Sequence, residues 1–262
     1  MVADPILVDT RDDVAWVTIN NPQQRNALDE RTARAFRDCV VALAKSPAVR
    51  AVVLHGAGPC FGVGGNLREL QRDPVAGAPK IIDPMHEAIT VMAAMNAPVI
   101  AAVHGAVAGG SLSLALACDF AVASEDARFS LAYANVGTSP DLSGSWSLVR
   151  TVGLRKAMSL ALLNETLDAR QAFDLGLVNR IVPVADLRRA AGELAAKLAA
   201  GPTVAYGRWK SLLRSAFQND LERQLALERA NFIASAETAD FREGCAALLE
   251  KRAAKFNGTQ PL

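Results

Sequence analysis

The residues best placed to do chemistry are two glycine turns and a few polar side chains near them. The run Val103–Asp119 reads V-H-G-A-V-A-G-G-S-L-S-L-A-L-A-C-D. It follows an apolar strand-like run, Pro98–Val103, and turns through Gly105, Gly109 and Gly110 straight into a helical run, Ser111–Cys118. Backbone N–H groups brought to the start of a helix sit at the positive end of its dipole and suit an anion or an oxyanion formed during reaction. A second block has the same plan: the strand-like run Ala51–His55, then G-A-G-P-C-F-G-V-G-G-N-L over Gly56–Leu67, with Asn66 as helix cap. Two such turns can surround one oxygen with two backbone donors; equally, glycine in such turns can serve only to relieve crowding.

Those turns need a scaffold, and the composition supplies one. Of 262 residues, 51% are apolar, enough for one large α/β domain with a helical appendage. Net charge is +1 and no long basic run occurs, which argues against nucleic acid or an anionic membrane as partner. Cys39, Cys60, Cys118 and Cys245 lack C-x-x-C spacing and sit in apolar settings, as reduced core thiols of a cytoplasmic protein do. His55, His86 and His104 have no metal-ligand spacing, so no metal is expected. No signal segment stands at the N-terminus, and no apolar run is long enough to cross a bilayer.

In chain order, Ile6–Asp9 and Val14–Ile19 read as strands, Leu28–Lys45 as an amphipathic helix capped by Asp29, and Val49–Leu54 as a buried strand. Arg68–Lys80, with Pro74, Gly77 and Pro79, reads as a mobile loop before a helix at Ile82–Met95. Phe120–Ala123 and Arg128–Leu131 are predicted strands, Tyr133–Ser147 a surface loop, and Leu154–Leu163 and Leu167–Gly176 helices. A strand at Leu177–Val184 and a helix at Asp186–Ala200 follow. After Gly201-Pro202 only helical patterns remain, at Val204–Phe217, Leu221–Ala234 and Asp240–Phe256. The boundary therefore falls between a mixed body, residues 1–200, and a helical tail, residues 201–262, whose helices have nothing of their own to pack on.

The two glycine blocks resemble those of the crotonase superfamily, the enoyl-CoA hydratases and isomerases. The first, Cys60-Phe61-Gly62-Val63-Gly64-Gly65-Asn66-Leu67, is similar to the family's A-F-x-A-G-x-D-L. The second, His104-Gly105-Ala106-Val107-Ala108-Gly109-Gly110-Ser111, is similar to N-G-x-A-x-G-G-G. The likeness runs from about Trp16 to Phe256. It implies a crotonase-like spiral of repeated ββα units, with the helical tail building a trimer or a dimer of trimers. It implies an acyl-CoA thioester as substrate and no cofactor beyond that coenzyme A. By position the N–H groups of Gly65 and Gly110 would hold the thioester oxygen as it becomes an enolate. Arg25 and Ala27, in the loop Asn20–Ala27, would meet the adenine and phosphate end of coenzyme A. Val63, Asn66, Leu67, Ala106, Gly109 and Pro140 would line the substrate.

Hydratases of this family work with two glutamates. Here Ser113 and Tyr133 occupy those positions, and neither hydroxyl is a base for a carbon-bound proton at neutral pH. Asp141, in G-T-S-P-D, matches the aspartate that single-base isomerases of the family use. Burial against Leu142 and Trp146 would lift its pKa, although an Asx-turn or helix-capping role also fits the spacing. His86 matches the histidine of 4-chlorobenzoyl-CoA dehalogenases, in which an aspartate matching Asp141 attacks the ring. It equally fits a polar residue at a helix start. The expected activity is a double-bond shift in an acyl-CoA with Asp141 as base. Hydration, a dehalogenase-like hydrolysis using His86, and acyl-CoA binding without turnover remain as alternatives.

Overall fold

A computed structural model describes residues 3–258. Strands β1 (Ile6–Arg11) and β2 (Val14–Ile19) form a hairpin through Asp12 and Asp13, both in the left-handed region. Helix α1 (Glu30–Lys45) follows, with the Asp29 carboxylate capping the Thr32 N–H at 2.7 Å. Strand β3 (Ala51–Gly56) leads to α2 (Leu67–Arg72) and α3 (Pro74–Ala94). Then come β4 (Val99–Val103), β5 (Ala106–Ala108), α4 (Gly110–Ala117), β6 (Phe120–Ser124) and β7 (Arg128–Ser130). The body closes with α5 (Gly144–Val152), α6 (Leu154–Leu162), β8 (Leu167–Asp168), α7 (Ala169–Asp174), β9 (Arg180–Val182) and α8 (Leu187–Ala199). The tail holds α9 (Thr203–Ser215), α10 (Leu221–Ala236) and α11 (Ala239–Leu249).

Six strands form one sheet in the order β1-β2-β3-β4-β6-β9, parallel except for the first hairpin. Its inner strands are covered on both faces and so read as unbroken apolar runs. In β3, Val52 and Leu54 face a large core with Phe36, Met85 and Phe129, while Ala51 and Val53 face a smaller one. Four alanines of α8, Ala190, Ala191, Ala195 and Ala199, close that second face. A three-stranded sheet, β5-β7-β8, stands beside the first, and Gly62 bridges to Val107 of β5 in parallel sense. The spiral repeat is therefore a main-sheet strand, a short second-sheet segment and a helix: β3–Gly62–α2/α3, then β4–β5–α4, then β6–β7–α5.

Several expectations are corrected. Residues 68–72 and 74–80 are helical rather than a loop, with Asp73 between the two helices. Asn66 caps α2, and Asp73 caps α3 by accepting the Ala76 N–H, with Pro74 at the first helical position, where it has no bond to lose. Pro79 and Pro84 lie inside α3, which packs along α1. The second glycine turn does not run straight into its helix, because β5 intervenes and pairs with β7. Part of the presumed loop 133–147 is ordered, as a 3-10 turn at Tyr133–Val136 and as the start of α5. Leu167 and Asp168 form a strand, with Asp168 heading a capping box for α7. The last helix stops at Leu249, well short of Phe256. Cys245 is exposed rather than core.

The tail is fastened to the body through α9. Lys210 and Arg214, one turn apart, bind the two oxygens of Asp119 at 2.8 Å each. Lys210 Nζ also donates to the carbonyls of Met92 and Ala97, and Arg214 to that of Ala93, so α9 satisfies carbonyls left open at the end of α3. Burial lowers the Lys210 pKa, and Asp119 opposes that shift. By contrast α10 buries none of its residues, and Leu221, Leu225 and Phe232 stand exposed on it.

Candidate active site

The first glycine turn is held from below by Asn26. Its side chain is fully buried, accepts the Asn21 N–H at 3.0 Å and donates to the carbonyls of Ala57 and Cys60 at 2.8 Å each. Leu28 then pairs with the turn, its N–H donating to Gly64 O and its carbonyl accepting the Asn66 N–H, both at 2.8 Å. The second turn meets the first at Gly64, which has φ +87°. A Cβ there would lie 2.8 Å from the Gly110 nitrogen, closer than any side chain tolerates. Ser111, buried at the start of α4, locks the pair by accepting the Gly64 N–H at 3.0 Å. With these bonds made, neither the Gly65 nor the Gly110 N–H donates to any described residue. Gly110 is also the first residue of α4, so its N–H lies at the positive end of that helix.

A carboxylate stands beside this pair. A Cβ built on Gly110 would be 3.6 Å from Asp141 Oδ1. Asp141 does not cap α5: the cap residue is Ser143, whose hydroxyl meets Ser147 Oγ and makes no capping bond, and Asp141 engages Gly144 only through its backbone carbonyl. Its carboxylate instead accepts a hydrogen bond from the Tyr133 hydroxyl. The same phenol meets the Ser113 hydroxyl at 2.9 Å. The positions predicted as merely lacking glutamates thus form a chain of hydroxyls ending on Asp141. Burial raises the Asp141 pKa, and the Tyr133 hydrogen bond is the main influence opposing it. Burial also raises that of Tyr133, and the adjacent carboxylate adds to the effect. Leu142, 1% exposed, supplies apolar cover, whereas Trp146 does not: it is 39% exposed and lies under the Arg150 guanidinium at 4.0 Å.

His86 sits in the interior of α3 rather than at a helix start, and it is exposed. Its Nε2 accepts the Leu142 N–H at 3.2 Å, which places the ring proton on Nδ1. His55 and His104 bond within the fold: His55 Nε2 meets Thr18 Oγ1 at 2.8 Å, and His104 Nε2 meets the Gly58 carbonyl at 2.9 Å.

The remaining predicted positions cluster around the same two turns. Arg25 is exposed and left-handed at φ +52°, closing the turn Pro22–Gln24, while Ala27 is buried one residue past Asn26. The bonds of Leu28 bring this loop against Gly65. Asn66 Nδ2 donates to Gln24 Oε1 at 2.8 Å, tying the loop to the start of α2. Val63 is half-buried and Leu67 exposed beside them; Ala106 and Gly109 bound β5, and Pro140 is exposed next to Asp141. A cavity of about 710 Å³ lies elsewhere, between α3, α5 and α9, and includes Trp146, Arg150, Trp209 and Phe217 but neither turn glycine. Asn26 and Ser111 escaped the sequence reading. For Ser111 the available signal was a small polar residue between Gly110 and Leu112; Asn26, next to Arg25, carried no such signal.

Residues 9–259 match the Enoyl-CoA hydratase/isomerase family profile, and the chain belongs to that family. It is 34% identical over 252 residues to 1,2-epoxyphenylacetyl-CoA isomerase of Escherichia coli, covering 94% of this chain and 95% of that protein. It is 33% identical over 250 residues to 4-chlorobenzoyl coenzyme A dehalogenase-2 of an Arthrobacter species, covering 94% and 91%. Among solved structures, an enoyl-CoA hydratase from a Polaromonas species superposes with a TM-score of 0.91 at 37% identity, covering 96% of this chain and 99% of that one. Three named activities thus occur at nearly equal distance, and identity alone does not choose between them.

Proposed function

We propose that this chain is an acyl-CoA isomerase that shifts a double bond with Asp141 as its single base. One observation carries the reading: Asp141 lies against Gly110, and the two positions where hydratases of the family hold glutamates are hydroxyls bonded toward it. Asp141 takes the proton from C2 of a 3-enoyl thioester. The charge moves onto the thioester oxygen, where the Gly65 and Gly110 N–H groups receive it. The same carboxyl then returns the proton at C4, so a 2-enoyl thioester leaves and the enzyme is restored. A base with a raised pKa suits both halves of that transfer. Hydration asks for a second group to activate water. A dehalogenase-like hydrolysis asks for a free His86 Nε2, which the Leu142 N–H occupies.

In this reading Arg25 and Ala27 meet the coenzyme A end, and Val63, Asn66, Leu67, Ala106, Gly109 and Pro140 flank the acyl thioester. No cofactor is required. The exposed apolar residues of α10 support assembly as a trimer or a dimer of trimers, and four unpaired thiols support a reducing, cytoplasmic setting. The test is Asp141→Asn with a 3-enoyl-CoA, following formation of the conjugated thioester. Isomerisation should fall to background while acyl-CoA affinity stays within a few-fold. An active Asp141→Asn protein would overturn the proposal.

A further inference from the structure

We infer that Tyr133 is a positioning residue that fixes the Asp141 carboxylate, and that Ser113 sets the direction of the bond that does so. The inference rests on Asp141 being the base.

The hydrogen-bond inventory determines the direction. An ionised carboxylate only accepts, so the single phenolic proton of Tyr133 must point at Asp141 Oδ1. The phenol oxygen is then left as an acceptor, and Ser113 Oγ, at 2.9 Å, must donate to it. Ser113 is fully buried, and this is the bond that satisfies its hydroxyl. Room for that hydroxyl comes from Gly144, where a Cβ would come within 2.4 Å of Ser113 Oγ. A chain of three side chains from α4, the turn 133–136 and the segment before α5 thus holds one carboxylate oxygen and leaves Oδ2 to carry the proton. Tyr133 and His86 are the titratable groups that face the carboxylate, from the turn and from α3; α4 offers Gly110 and Ser113. The bond also stabilises the charged carboxylate and so offsets part of its burial.

The test is titration of Asp141 by carbon-13 NMR in the ligand-free, aspartate-labelled protein, with its resonance assigned by its absence in Asp141→Asn. In Tyr133→Phe the midpoint should rise by about one to two pH units, as expected from losing a hydrogen bond to a charged group. The acid limb of kcat/KM should rise with it, and kcat should fall while KM stays within about two-fold. Ser113→Ala should move the midpoint the same way by less, and Ser113→Thr should restore it. An unchanged or lowered midpoint in folded Tyr133→Phe overturns the inference. The titration needs no turnover, so it decides this point even if Asp141→Asn proves active and the isomerase reading fails.

Discussion

Ser111 Oγ accepts the Gly64 N–H at 3.0 Å, across 47 residues of sequence, and so couples the two glycine turns from inside. That bond uses the Gly64 donor, whereas the N–H groups of its neighbour Gly65 and of Gly110 donate to no described residue. The geometry of the proposed oxyanion site therefore rests on a buried hydroxyl as much as on the glycines themselves.

Gly110→Pro removes one of the two N–H groups. The position is the first of α4, where proline is tolerated, and a Cβ there makes only ordinary contacts. Turnover should fall by about 100-fold or more, near the usual cost of one lost oxyanion donor. The far-ultraviolet circular dichroism spectrum should be unchanged.

Asn26→Ala leaves the Ala57 and Cys60 carbonyls and the Asn21 N–H without their side-chain partner in a buried site. Each unsatisfied group costs about 1–3 kcal/mol. Urea denaturation should show a loss of several kcal/mol, about the sum of those costs. In whatever protein remains folded, kcat should fall with it, because the first turn is no longer pinned.

The Asp141 carboxyl has a folded-state pKa raised above its unfolded value. Its contribution to stability is therefore fully present below the unfolded pKa and is lost as pH rises through the folded one. At neutral pH the ionised carboxylate destabilises the fold, so Asp141→Asn should raise the melting temperature at pH 7 while abolishing isomerisation. The gain should vanish near pH 3. A lower melting temperature at pH 7 would contradict this sign.

Phe232→Glu and Leu225→Glu place charges on the exposed face of α10, at side chains 65% and 53% exposed. Light scattering should show a trimer or hexamer for the parent and a smaller species for the double variant. A parent that stays monomeric at micromolar concentration would remove the assembly proposal.

Much of this was legible in the sequence because period and punctuation agree. The inner strands read as apolar runs since both faces are covered, and the Asp29, Asn66 and Asp168 caps sit where short polar side chains precede helical patterns. Gly64 meets Gly110 and Gly110 meets Asp141 across segments that only the family resemblance had linked. Residues 68–80 were misread because proline signals a break without revealing that Asp73 can begin a helix around it. Strand β5 was invisible: three residues between two glycines carry no period, and its partner β7 comes 20 residues later. The hydroxyl chain from Ser113 to Asp141 was beyond reach, since each member alone reads as an ordinary polar residue.

The clasp that Lys210 and Arg214 make on Asp119 has a consequence at the other end of α4. Asp119 follows that helix's C-terminus by two residues, and Gly110 is its N-terminus. The tail's two cations thus lie at the negative pole of the helix whose positive pole, in the proposed reaction, receives the thioester oxygen. Trimming the chain at Gly201 to obtain a minimal enzyme would leave Asp119 an unneutralised anion at that pole. On the proposed mechanism the C-terminal helices enter the field along α4 as well as covering the body, so a swap of tails between relatives would change that field.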